Sequence, residues 1–107
     1  MKIVFIGSVK FSHRCLSALI DMKANVVGVC TLKESKFNAD HVDLADLCSK
    51  ARIPSKYVED INSKSSVEWI RHLSPDVIFC FGWSRLLKKE MLGLPRLGPR
   101  GGVVEQI

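Results

Sequence analysis

No apolar run in these 107 residues approaches the ~20 residues that a membrane-spanning helix requires. The nearest thing to a leader, Ile3-Val4-Phe5-Ile6 after Met1-Lys2, stops at Gly7. Lys10, His13 and Arg14 follow, so the apolar segment is too short for a secretory signal. Cys15, Cys30, Cys48 and Cys80 are scattered and never form C-x-x-C. That spacing argues against a zinc site or a disulfide framework and suits a reduced, cytoplasmic chain. Glycine-rich phosphate signatures are missing too. Gly7-Ser8-Val9-Lys10-Phe11 lacks the later glycines of G-x-G-x-x-G, and no G-K-S/T follows it, which removes the dinucleotide and nucleoside-triphosphate motifs. There is no internal repeat and no low-complexity linker.

What is present is the composition of a folded domain, 47% hydrophobic and 25% charged. At this length there is room for one small domain, burying about two-thirds of its unfolded surface. The net charge of +5 is unevenly placed. Residues 1–84 carry 11 basic and 9 acidic side chains, and residues 85–107 carry 5 and 2. A basic end or an anionic small molecule fits this distribution better than a nucleic-acid surface does.

Short β-branched and aromatic runs alternate with helical periodicity. Lys2–Gly7 and Asn25–Thr31 are too apolar to leave one face in water, the pattern of strands buried on both faces of a parallel sheet. Between them Phe11, Cys15, Leu16, Leu19 and Ile20 recur at helical spacing. A second helix is expected from an Asp40 N-cap through Leu44, Ala45, Cys48 and Ala51, with Asp43 and Asp46 in its first turns. Ile53-Pro54 opens a short third strand, placed at an edge by its proline. Ser65-x-x-Glu68 reads as a capping box for a helix through Trp69, Ile70 and Leu73. Val77–Phe81 is the fourth strand, and Lys88–Leu92 a short helix before Leu94-Pro95. Short connections between alternating strands and helices imply βαβ units. The expected fold is α/β, an incomplete doubly wound, Rossmann-like parallel sheet of about four strands in order 3-2-1-4.

Ligands of such sheets sit beyond the carboxyl ends of the strands, where the order reverses. Here that point is lined by Gly7–Phe11 and Gly82–Leu87, which makes Gly7, Ser8 and Phe11 candidate substrate contacts. His13, His41 and His72 have no second His or Cys at ligand spacing, and no metal site is assigned. Asp40-His41-Val42-Asp43 is the densest polar cluster, and helix capping accounts for its acids. Of the two tryptophans only Trp83 lies near the switch point.

Lys2–Ser8 with Phe11, followed by Asn25–Val29, resembles the opening of the folate-dependent formyltransferases, which include methionyl-tRNA and sugar N-formyltransferases. Pro75-Asp76-Val77-Ile78 leading to Gly82-Trp83-Ser84-Arg85-Leu86-Leu87, and then Leu94–Gly98, are similar to that family's segment before its catalytic motif. The resemblance runs from about residue 2 to 98. It suggests residues 1–98 as part of a formyltransferase N-terminal domain and 99–107 as a divergent tail. Gly82-Trp83-Ser84 and Asn38-Ala39-Asp40-His41 look more like the sugar enzymes than the tRNA enzymes.

The resemblance implies transfer of a formyl group from 10-formyltetrahydrofolate to an amine. It places the pterin in an apolar pocket bordered by the loop from Trp83 to Leu87, with Trp83, Ser84, Leu86 and Leu87 as cofactor contacts. Lys88 stands where the family usually has proline. The family's catalytic Asn and His on the next strand, and its later Asp, have no counterpart. Residues 99–107 read Pro-Arg-Gly-Gly-Val-Val-Glu-Gln-Ile, with no Asn or His after residue 72 and no Asp after residue 76. No catalytic residue is assigned, and the expectation is a chain truncated before its chemistry and inactive alone. The alternative is a binding or assembly module that forms homo-oligomers through Val77–Phe81 as a bare edge strand.

Overall fold

The computed structural model describes residues 1–106. Five strands form one sheet, all pairs parallel: β1 (Ile3–Ile6), β2 (Val26–Thr31), β3 (Ser55–Tyr57), β4 (Val77–Phe81) and β5 (Val103–Gln106). Their order is β3-β2-β1-β4-β5, so the 3-2-1-4 arrangement holds and a fifth strand extends it. Period-two alternation on β1 sends Val4 and Ile6 to one face and Ile3 and Phe5 to the other, all four buried. Helix α3 (Lys64–Leu73) covers the first face with Val67 and Ile70. Helices α1 (Lys10–Asp21) and α2 (Ala45–Ala51) cover the second with Leu16 and Cys48. Two short helices, α4 (Lys89–Leu92) and α5 (Gly98–Gly101), complete the chain. No helix among the described residues is long and apolar enough to cross a membrane.

Two caps differ from the sequence expectation. Asp40 does not cap α2, which starts at Ala45. Asp43 instead accepts the Ala45 N–H through Oδ1 at 2.8 Å, while Asp40 faces Lys10 across 3.7 Å. The backbone of the 40–42 stretch is drawn away because it docks on the β1–α1 turn. Lys10 N–H donates to Asp40 O at 3.0 Å, and Val42 N–H donates to Ser8 O at 2.8 Å. In α3 the N-cap is Ser63, whose hydroxyl accepts the Ser66 N–H at 3.2 Å. Glu68 lies a turn further in and pairs with Arg71.

The larger correction concerns β4. It is not a bare edge, because β5 pairs along it from Ile78↔Val103 to Phe81↔Gln106. The route to a homo-oligomer through an exposed fourth strand therefore falls away. Residues 103–106, expected to be part of a divergent tail, take a place in the sheet. Gly102 makes the approach possible: a Cβ there would stand 2.5 Å from both Gly98 O and Pro95 Cβ. The edges of the described sheet are β3 and β5, and β3 carries the exposed Ser55 and Tyr57 at the end marked by Pro54.

At the amino end of β4, Asp76 ties three segments together. Its carboxylate accepts the Lys2 backbone N–H at 2.7 Å and the Arg96 Nε–H at 2.6 Å. The Arg96 contact first, and then the Lys2 amide, hold its carboxyl below the ordinary aspartate range. The unfolded chain therefore binds the extra proton. The stabilisation is present above about pH 4 and is lost as pH falls below that value. Urea unfolding between about pH 5 and pH 2 is expected to show Asp76→Asn less stable than the parent at the upper end. The two curves should converge at the lower end, and a constant gap would remove Asp76 from this role.

Candidate functional site

Two turns meet at the carboxyl end of the sheet, where the strand order reverses between β1 and β4. Gly7 leaves β1 with its N–H on Cys30 O at 3.1 Å, and Gly82 leaves β4 in the left-handed region at φ 74°. Ser8 N–H donates to Gly82 O at 3.2 Å. Ser12, fully buried in the first turn of α1, accepts the Val9 N–H at 3.2 Å and donates to Phe81 O at 2.5 Å. These bonds stitch the two turns into one floor.

Above that floor lies a groove of ≈ 510 Å³, a size ordinary for small-molecule sites. Val9, Leu32, Phe37 and Trp83 give it apolar walls. Ser8, Ser35, Asn38 and Ser84 supply hydroxyl and amide groups around it. Trp83 is buried against the core, whereas Phe37 is 99% exposed on the opposite loop. Such a groove suits a flat heterocycle with polar edges: aromatic walls for its faces, short polar side chains for its rim. The loop over residues 32–41 is held down by His41, whose Nε2 lies 2.6 Å from Leu32 O.

Only some of the expected contacts gather here. Trp83, Ser84 and Ser8 line the groove, and Gly7 lies beneath it. Leu87 is buried in the core cluster with Trp83 and Met91, while Leu86 is 62% exposed. Phe11 joins the aromatic group around Phe81, with ring centroids 6.1 Å apart, and is absent from the groove wall.

Two residues outside the expected set hold the loop that follows Trp83. Asn62 donates from Nδ2 to Leu86 O at 3.0 Å and accepts the Lys88 N–H on Oδ1 at 2.7 Å. Glu105 Oε1 accepts the Leu87 N–H at 3.3 Å. These partners stand 18 to 26 residues away in sequence, so no local pattern announces them. Leu32, Ser35 and Phe37 likewise have no sequence signal, since a polar loop carries no periodic pattern, and Asn38 enters only through the resemblance.

The site holds no activated thiol. Burial pushes Cys30 and Cys80 up to about 12, with the Glu105 charge adding to the effect at Cys80, and pushes Cys48 up to about 11. All four cysteines are unpaired. Among the described residues no group of three or more His, Cys, Asp and Glu could hold a metal ion.

Fold and groove together define a doubly wound α/β domain with a groove of small-molecule size at its switch point. Sequence relatives make the class more particular. Methionyl-tRNA formyltransferase from Thermotoga maritima is 33% identical over 102 residues, covering 92% of this chain and 33% of the relative. The Clostridioides difficile enzyme of the same name is 30% identical with the same coverage. The bifunctional polymyxin resistance protein ArnA of Wigglesworthia glossinidia brevipalpis is 26% identical over 101 residues, covering 15% of that protein. Two solved structures share the fold at 14% identity. Glycinamide ribonucleotide transformylase 1 from Symbiobacterium toebii has a TM-score of 0.71, over 98% of this chain and 50% of its own. Phosphoribosylglycinamide formyltransferase from Streptococcus pneumoniae has 0.64, over 97% and 54%. No family model matches. Over 92% of its length the chain is similar to methionyl-tRNA formyltransferases, which supports its reading as an N-terminal formyltransferase domain. It spans about a third of the length of the curated relatives it matches.

The groove fits the heterocyclic part of a folate-type cofactor. Leu32 and the accessible edge of Trp83 offer apolar contact, Ser84 and Ser8 offer polar contacts, and Gly82 brings main chain to the surface without a side chain between. Of the residues expected to touch the cofactor, Trp83 and Ser84 lie on the groove, Leu87 lies in the core cluster and Leu86 is exposed beside it.

Proposed function

We propose that this chain supplies the folate-side portion of a formyltransferase active site, serving transfer of a formyl group from 10-formyltetrahydrofolate to the amine of a small molecule. The observation that supports this reading best is the switch-point groove walled by Trp83 in a chain whose sequence relatives are formyltransferases. Bound cofactor would supply the formyl group. The chain's own part is to seat the heterocycle against Trp83 and Leu32, exclude water from that face, and meet its edge with Ser8 and Ser84.

An amino sugar is favoured over aminoacyl-tRNA as the acceptor. Gly82-Trp83-Ser84 and Asn38–His41 are the segments that look more like the sugar enzymes, and Gly82, Trp83, Ser84 and Asn38 all line the groove. We place the protein in a reducing cytoplasm, with all four of its thiols unpaired. Strand β5 presents Val103-Val104-Glu105-Gln106 beside β4, with none of the Asn, His or Asp that the resemblance assigns to the chemistry.

The expected outcome is binding without turnover by the 107-residue chain. Calorimetric titration with 10-formyltetrahydrofolate should give saturable heat at one site. Ser84→Trp, at an exposed position on the groove, should weaken it at least about tenfold without loss of fold. Incubation with 10-formyltetrahydrofolate and amino sugars should yield no product above a heat-killed control. Heat that does not saturate, or that is indifferent to Ser84→Trp, would overturn the groove as the cofactor site. Product above the control would overturn the absence of chemistry.

A further inference from the structure

The loop from Trp83 to Leu87 has little main-chain support of its own. Among the described residues, positions 83–87 make no main-chain to main-chain hydrogen bond. What holds the second half of the loop is side-chain clamping from two other elements. The carboxamide of Asn62 spans it, donating to Leu86 O at 3.0 Å and accepting from Lys88 N–H at 2.7 Å. Its orientation is fixed by chemistry. A carbonyl needs the NH₂ end and an amide N–H needs the oxygen, so the flipped carboxamide would lose both bonds. Asn62 is itself prepositioned, its own N–H donating to Asp60 Oδ1 at 2.9 Å. Asp60 O in turn accepts the Ser66 hydroxyl at 2.9 Å at the start of α3. From the opposite side Glu105 takes the Leu87 N–H. Three consecutive residues are thus pinned by groups that come from α3's leading turn and from β5.

We propose that Asn62 is the positioning residue of the groove loop, giving it through the Leu86 carbonyl and the Lys88 N–H the order that its main chain lacks. Lys88 matters here through its backbone, because a proline at that position would have no N–H for Asn62 Oδ1 to accept. The proposal rests on the reading of the Trp83 groove as a ligand site for its functional meaning. Its structural half can be measured without a ligand.

Amide hydrogen exchange by NMR on the full chain separates the two. In Asn62→Ala the Leu87 and Lys88 amides should exchange about tenfold faster, with the β1 and β4 amides unchanged. Asn62→Asp keeps the acceptor for Lys88 and loses the donor to Leu86, so it should fall between parent and alanine. Adding Lys88→Pro to Asn62→Ala should return Leu87 to near its original rate. The φ of Lys88, −90°, lies close to the range a proline ring sets, so the ring would restrict the loop where the carboxamide did. Affinity for 10-formyltetrahydrofolate should drop severalfold in Asn62→Ala and recover in the double variant.

Unchanged exchange at Leu87 and Lys88 in Asn62→Ala would overturn the clamp. Acceleration spread equally over β1 and β4 would also overturn it, since Asn62 would then support the whole fold and not the loop. Localised acceleration in a protein that binds no folate leaves the clamp standing and overturns the assignment of the groove instead.

Discussion

Replacing Gly7 with alanine is expected to cost about 3 kcal/mol or more of folding stability. A Cβ at this position would lie 2.4 Å from Phe81 O and 2.6 Å from the Cβ and Oγ of Ser12. The first of these is main chain of β4, which is held between β1 and β5 and cannot swing aside as a flexible side chain would. The second is the buried serine that joins the two turns. Moving it breaks the hydrogen bond from Ser12 Oγ to Phe81 O and leaves a buried carbonyl without its partner. Overpacking and an unsatisfied polar group therefore act together at one point. Their sum is a large share of the 5–15 kcal/mol typical of a whole domain. Urea unfolding should show a lower midpoint with an unchanged slope. Gly101→Ala provides the control, because nothing lies within 4 Å of its added Cβ, and it should stay within about 0.5 kcal/mol of the parent. Equal midpoints for the two variants would mean that β1 and β4 can part at the switch point without loss. The floor of the groove would then not be the rigid element described here.

The parts of this fold that can be read from sequence are those with local causes. Ile3–Ile6 and Val77–Phe81 are continuous apolar runs, and Phe11 through Ile20 keeps helical spacing, so three elements follow from pattern alone. The switch point follows in turn, because strand order and the two flanking glycines are enough to locate it. Caps are less legible. Ser63, Ser65 and Ser66 cluster at the start of α3, and which of them caps depends on where Asp60 turns the chain, a choice made by the Ser66 hydroxyl donating to Asp60 O. Strand β5 is illegible for a different reason. Val103-Val104 is too short an apolar run to announce a strand, and it becomes one because β4 offers a row of main-chain donors and acceptors. The site shows the same division. Trp83 follows from its position after a strand and Ser84 from the resemblance, whereas Phe37 and Asn62 enter through long-range closure that sequence spacing does not encode.

Removing residues 99–107 is expected to have the second large effect, and it bears on whether the divergent segment matters to the fold. The deletion takes β5 away and uncovers the side of β4 that now pairs from Ile78 to Phe81, including the Ile78 N–H that donates to Gly102 O at 2.6 Å. An apolar strand with free donors and acceptors pairs with whatever strand it meets. The shortened chain should therefore show light scattering that rises with concentration and a melting transition lowered by about 10 °C or more. Because so large a cut can abolish folding outright, Val103→Asp gives a gentler version. Val103 packs against the core cluster on the α3 side, and a carboxylate there should cost about 1–3 kcal/mol while leaving the chain intact. The deletion removes Glu105 from the Leu87 N–H and Val103→Asp loosens it, so both should speed exchange of that amide. A monomeric, undiminished 1–98 chain would show that β5 only lies alongside the sheet. The outcome favoured by the pairing is that β5 completes the wall on which the groove loop rests. On that view residues 103–106 are structural, covering β4 and holding the loop through Glu105.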